Sequence, residues 1–122
     1  VVGVDDPTGI YYGFSGNVSE RGLLKELDNE QFILLLKHRP AVAEGIEGLF
    51  DLQLSGHTHK GQVFPFSLIV KRVYPKTAGL HVLGNNQRLY VSRGAGTWGP
   101  PVRFLSPPEV TVIELRGDNG KR

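Results

Sequence analysis

The 122 residues contain no cysteine and no methionine. Without thiols there is neither a disulfide framework nor thiolate metal chemistry, and the redox compartment stays undetermined. Without methionine the chain does not start at an initiator, and Val1-Val2-Gly3-Val4 already reads as part of a strand, so the expectation is a boundary cut through a sheet. Long apolar runs are missing too: none approaches the roughly 20 residues of a spanning helix, and no signal peptide is visible. That silence says nothing of an anchor upstream. Charge is mild, at +2 with a pI near 9.1. Adjacent basic residues occur only at Lys71-Arg72 and Lys121-Arg122, which read as solvated surface, and no basic stripe with interleaved aromatics points to nucleic acid. Internal repeats and low-complexity segments are absent. The length permits one domain that buries about two thirds of its unfolded surface.

What is present concentrates around histidine. Leu52-Gln53-Leu54-Ser55-Gly56-His57-Thr58-His59 runs an apolar strand into a glycine and then sets two imidazoles two residues apart. Successive strand residues alternate faces, so both rings point the same way, with Cα atoms roughly 6.5 Å apart. Neutral imidazole is a common transition-metal ligand. Upstream, Phe32-Ile33-Leu34-Leu35-Leu36 resembles a strand buried on both faces, and it ends in Lys37-His38-Arg39-Pro40. Residues 41–50, helix-compatible in their first part, make a crossover between parallel strands. His38, His57 and His59 would then meet at the sheet edge where open α/β folds place ligands.

The remaining pattern gives a strand at 1–4, a connection over 5–16, and a helix over about 19–27 capped by Ser19, with Leu23, Leu24 and Leu27 as its apolar stripe. Strands follow at 32–37 and 52–54, then a loop over 61–76 that packs over the site, with Leu68-Ile69-Val70 as a short apolar element. Residues 79–83 and 88–93 flank Gly84-Asn85-Asn86-Gln87, a hairpin signal. Val110 to Leu115 alternates as a final strand, and 117–122 reads as a disordered tail.

In order and spacing, Leu34-Leu35-Leu36-Lys37-His38-Arg39-Pro40, Gly56-His57-Thr58-His59 and Tyr90-Val91-Ser92-Arg93-Gly94-Ala95-Gly96-Thr97-Trp98-Gly99-Pro100-Pro101 resemble the calcineurin-like metallophosphoesterases, in the bacterial branch of membrane-linked or exported phosphodiesterases. Ser106-Pro107-Pro108-Glu109-Val110 continues the likeness. The resemblance implies an α/β (α+β) fold, the C-terminal half of a four-layer αββα sandwich with mixed sheets, with residues 1–116 as part of one domain. It also implies two divalent ions, Mn, Fe or Zn, with His38 and His57 on one and His59 on the other, activating a water for in-line attack on a phosphate ester. The family's Asp-x-His, Gly-Asp and Gly-Asn-His-Asp/Glu motifs do not precede His38. The leaving-group histidine and the bridging carboxylate would therefore lie in a missing N-terminal half, leaving the chain inactive alone and able to bind metal only weakly or in part.

Plainer readings stand beside these. His-x-His can clasp a single ion, and His38 can simply cap a buried strand. Lys60, which departs from the family's usual glycine, either aids binding of a phosphate or is solvated. Arg93, Gly94, Gly96 and Thr97 either contact phosphate or shape a tight loop. His81 reads as structural, and Asp5-Asp6-Pro7 as a turn whose carboxylates bond nearby backbone. The favoured expectation is a metal-dependent phosphoesterase acting on a phosphodiester, phosphomonoester or pyrophosphate, including lipid-linked or nucleotide-sugar substrates. Its partner would be the missing half or a second copy of the chain. Its setting, by the same resemblance, is the cytoplasmic face of a membrane or an exported location. The alternative is a non-catalytic module that binds a metal or a partner.

Overall fold

Leucine alternation and parallel pairing build one sheet in the computed structural model, which describes residues 1–14 and 18–117. Strands β1 (Val2–Val4), β2 (Leu34–Lys37), β3 (Leu52–Ser55), β4 (Gly79–Val82) and β5 (Arg88–Val91) are ordered β1-β2-β3-β5-β4. The pairings β1·β2, β2·β3 and β3·β5 are parallel, while β4·β5 is an antiparallel hairpin. Helix α1 (Glu20–Lys25) begins where Ser19 Oγ accepts the Gly22 N–H, as its sequence requires. Helix α2 (Phe66–Val73) follows β3. The architecture is α/β, with the four-residue hairpin turn in place and Asn85 and Asn86 taking the left-handed conformations it demands.

One face of the sheet is closed. Leu24, Ile33, Leu35, Ile46 and Phe50 form the core cluster, with Val2, Val4 and Leu83 packed against it. Burying each large apolar side chain stabilises the fold by about 1.5–3 kcal/mol. The opposite face carries Leu36 at 41% and Leu80 at 59% exposure. The run 32–36 is therefore buried on one side only, and period-two alternation rather than continuous burial describes it. Gln53 sits in the closed face, fully buried, and its Nε2 donates to Ser55 Oγ at 2.9 Å.

Two elements expected from the sequence do not form. Residues 41–50 cross from β2 to β3 without a helix, because Gly45 and Gly48 adopt φ of 76° and 78° and break any helical run. Ile46 instead plugs the core, and its carbonyl accepts the Gln87 Nε2 amide at 3.2 Å. Residues 110–115 alternate as a strand should but make no ladder. They lie along the open face beside Phe32, Leu80 and Tyr90. Tyr90 is on β5, which β3 and β4 already pair on both sides, so the backbone there has no edge to join. The final residues, 118–122, lie outside the described residues.

The approach of α2 to the β3 end is the tightest in the fold. A Cβ at Gly61 would stand 2.2 Å from the Ser67 Cα, and Gly61 has φ of 79°. Gly61→Ala should cost about 2 kcal/mol or more, from overpacking and left-handed strain together. Gly84→Ala, which meets nothing within 4 Å, should stay within about 0.5 kcal/mol. Urea denaturation of the two variants reads the difference, and equal midpoints would remove Gly61 as the seat of α2.

Candidate functional site

Parallel pairing carries β2 and β3 to the same edge, and hydrogen bonds beyond the ladder lock their ends together. Gly56 N–H donates to the His38 carbonyl at 3.0 Å, and Ser55 Oγ donates to the Arg39 carbonyl at 3.3 Å. The strand stops at Ser55, and His57 then takes φ of 66°. That reversal turns its ring back toward β2, so His57 Nδ1 lies 3.1 Å from His38 Nε2 with the ring planes at 77°. Tyr74, just past α2, closes the other side edge-on at a centroid distance of 5.4 Å. Thr58 Oγ1 donates to the Thr77 carbonyl at 2.7 Å, tying the turn to the segment after α2.

The strand geometry anticipated for His57 and His59 does not apply. Both residues are left-handed, at φ of 66° and 46°, so two-residue alternation no longer sets their directions. His59 turns to Arg103, whose Nη2 lies 3.0 Å from its Nδ1. A guanidinium only donates, which puts the ring proton of neutral His59 on Nε2. Burial lowers the pKa of His57 first, followed by the charges of His38 and Arg39. Burial also lowers that of His59, followed by Arg103, against a contact with the Gly96 carbonyl that raises it. Both shifts favour the neutral imidazole, the form that carries a free lone pair.

Around the histidines the charges are paired. Asp6 accepts Nε and Nη2 of Arg39 at 3.0 and 3.2 Å, clamping the end of β1 to the end of β2. Burial raises the Asp6 pKa, but hydrogen bonds from Thr8 and Arg39 outweigh it and hold the carboxyl well below the ordinary carboxylate range. Asp6 also caps the 3-10 turn Pro7–Tyr12 through the Thr8 N–H, as a turn carboxylate should. Asp5 lines a cavity of about 680 Å³ together with Val4, His38, Ser55, Gly56 and Ser92, at the carboxyl ends of the parallel strands. Lys60 is exposed beside His59, and Gly96 and Thr97 are exposed on the following loop. Arg93 is committed to Glu109 at 2.5 Å, so phosphate contact by that guanidinium would require the pair to open. His81 Nε2–H donates to the Ala78 carbonyl at 3.1 Å, a local role at the start of the hairpin.

Three residues essential to this geometry were not singled out as site residues, although Ser106 and Gln62 lie in stretches that carry the family likeness. Arg103 gathers the carbonyls of Arg93, Gly94, Gly96 and Ser106 onto one guanidinium. Ser106 Oγ in turn donates to the His59 carbonyl at 2.6 Å. Gln62 binds the Trp98 N–H and carbonyl with its side chain at 2.6 and 2.7 Å. For Arg103, its place between Pro100-Pro101 and Pro107-Pro108 is the one local hint available.

Two nitrogens bound to one ion at bond lengths near 2.0–2.2 Å stand roughly 2.8–3.6 Å apart, the range set by octahedral and tetrahedral angles. His38 and His57, at 3.1 Å, fit such a cation. His59 does not join them as it stands, because Arg103 occupies its Nδ1 and Nε2 carries the proton. Among the described residues no group of three His, Asp or Glu side chains gathers to hold an ion.

Glu109 supplies a test of the loop's electrostatic anchor. Hydrogen bonds from Tyr90, Arg93 and Thr111 lower its pKa from 4.5 to about 2. The stability it contributes is complete above pH 4.5 and is lost as pH falls toward 2. In Glu109→Gln, the decline of unfolding free energy across that window should be shallower than in the unaltered chain, leaving only the part due to Asp6 and other carboxylates. Urea unfolding at stepped pH measures it, and identical slopes would mean the pair holds nothing.

No family model and no solved structure matches the chain. Curated proteins do. It is 36% identical over 118 residues to an uncharacterized metallophosphoesterase of Aquifex aeolicus, covering 96% of this chain and 45% of that protein. It is 44% identical over 93 residues to another of Campylobacter jejuni, covering 75% of this chain and 25% of the relative. A transmembrane protein with metallophosphoesterase domain from Danio rerio is 32% identical over 120 residues, covering 95% and 28%. The chain spans less than half the length of these curated relatives. Likeness that runs through more than nine tenths of the chain in both Aquifex aeolicus and Danio rerio, with the histidine-bearing strand ends inside it, makes this chain a member of the metallophosphoesterase family.

Proposed function

We propose that the chain contributes part of the site of a metal-dependent phosphoester hydrolase. The observation that carries this reading is the pair His38 and His57, whose ring nitrogens converge at 3.1 Å on the sheet edge of a metallophosphoesterase. His38 and His57 would hold one divalent ion, Mn, Fe or Zn. His59 would serve a second through Nε2, a role that requires its ring proton to move to Nδ1 and Arg103 to release that atom. When bound, such ions supply positive charge that polarises phosphoryl oxygens and lowers the pKa of a water.

The chain's own residues do the positioning. The Gly56–His38 backbone bond and Tyr74 hold the two rings in register, and the Asp6–Arg39 pair keeps a neighbouring cation neutralised. Lys60, exposed at the turn, is the cation best placed to meet an anionic substrate, with the Gly96-Thr97 loop opposite the same histidine. The substrate is a phosphodiester, phosphomonoester or pyrophosphate. The leaving-group acid and bridging carboxylate would come from a complementing half or a second copy of the chain. Two relatives are named transmembrane proteins with a metallophosphoesterase domain, which supports a membrane setting. Among the described residues no helix is long and apolar enough to cross one.

The reading that competes is a module that binds an ion without catalysis, favoured by the lack of a three-residue ligand group among the described residues. Both readings require the histidine pair. Calorimetric titration with Zn²⁺ and Mn²⁺ should show weak binding, reduced at least about tenfold by His38→Ala or His57→Ala and less by His59→Ala. Affinity unchanged in a variant lacking all three rings would remove them from the site. Catalysis separates the readings. The chain alone should hydrolyse bis-p-nitrophenyl phosphate no faster than buffer with metal, and addition of the N-terminal half of a metallophosphoesterase, fused or in trans, should restore turnover. Chelator-sensitive turnover by the chain alone, abolished by His59→Ala, would show that its own residues complete the site.

A further inference from the structure

Residues 52–108 contain seven lysines and arginines and no aspartate or glutamate. All acidic residues lie at 5–51 and 109–118, so the part of the chain that carries β3, α2 and the site turn is uniformly cationic. Helix α2 stands on this segment, and none of its residues is buried. Phe66, Ile69 and Val73, at positions i, i+3 and i+7, share one face and are 63%, 63% and 65% exposed. Arg72 borders that stripe, Lys71 lies on the far side of the helix, and neither makes an ion pair among the described residues.

The stripe does not end with the helix. Phe64, Trp98 and Phe104 are also exposed, and one knot of hydrogen bonds centred on Gln62 holds them together. The Phe104 N–H donates to the Gln62 carbonyl at 2.9 Å, the Phe64 N–H donates to the Phe104 carbonyl at 3.3 Å, and the Gln62 side chain fixes Trp98. Four aromatic rings, Phe64, Phe66, Trp98 and Phe104, are thus exposed together with Ile69 and Val73. An exposed apolar face of this extent calls for an occupant.

We propose that this surface docks onto a lipid bilayer carrying anionic headgroups, with α2 lying in the interface plane. Short amphipathic helices bind there when aromatic and aliphatic side chains enter the acyl boundary and flanking Lys and Arg meet anionic headgroups. The cores of protein interfaces, by contrast, are depleted in lysine. The unpaired Arg72 beside the stripe and the acid-free segment around it are complementary to a negatively charged surface. Because Gly61 packs on Ser67 and Thr58 bonds Thr77, docking through α2 would also fix how the histidine cleft faces the membrane. The proposal deepens the membrane setting inferred above and is independent of the catalytic reading, since its test involves no turnover.

Trp98 is the only tryptophan, so its fluorescence reports the patch directly. The full chain should sediment with vesicles of phosphatidylcholine mixed with phosphatidylglycerol, with a blue shift of the Trp98 emission, and should bind phosphatidylcholine vesicles far less. Phe66→Ser/Ile69→Ser should abolish both signals. Arg72→Gln should weaken binding roughly fivefold at low ionic strength, and raising the salt should reduce binding of the unaltered chain. Circular dichroism unchanged in the second variant confirms that the fold persists. No sedimentation with the anionic vesicles, equal binding to neutral ones, or self-association that Phe66→Ser/Ile69→Ser dissolves without any vesicle binding would each overturn the proposal, the last by assigning the stripe to a second copy of the chain.

Discussion

Everything at the site depends on the parallel register of β2 and β3. Leu34 pairs with Leu52 and Leu36 with Leu54, so both strands finish within one residue of each other at the same edge. The Gly56–His38 backbone bond then extends the pairing past the ladder. A slip of one residue would reverse which side chains face the core and would separate the two imidazoles in the same movement. Leu35 and Gln53, both fully buried, are what resists such a slip.

On this frame burial, ahead of the surrounding charge, favours the neutral form of the His57 and His59 rings. Asp6 compensates Arg39 on one side of the cleft, and Glu109 compensates Arg93 on the other. Burial disfavours the imidazolium form of His57 and His59, and the nearby guanidinium groups act in the same direction. A lone pair rather than a charge is what the cleft offers, which is the form a cation requires of histidine.

The sequence was readable wherever one local pattern decided the outcome. Ser19 as a cap and the hairpin around Asn85-Asn86 both follow from residues within a few positions of one another. Elements that depend on distant partners were not readable. Residues 110–115 have the alternation of a strand, yet the central strand beneath them is already paired on both sides. Gly45 and Gly48 outweighed the helical look of residues 41–44, and the left-handed turn at His57 and His59 redirected rings that strand geometry would have aligned. Arg103 and Gln62 were not singled out because their partners lie up to 44 and 38 residues away and are mostly backbone carbonyls, which every residue possesses.

Gln62 ties the chain on both sides of the site into one mechanical unit. Its backbone carbonyl and its side-chain amide together bind residues 98, 100 and 104. Releasing the segment that leads into α2 therefore breaks the seat of the 93–106 loop in the same event, and Arg103, which rides on that loop, leaves His59 with it. Amide protons of the two segments should accordingly open to solvent as a single cooperative unit, at one rate, rather than as two independently fraying loops.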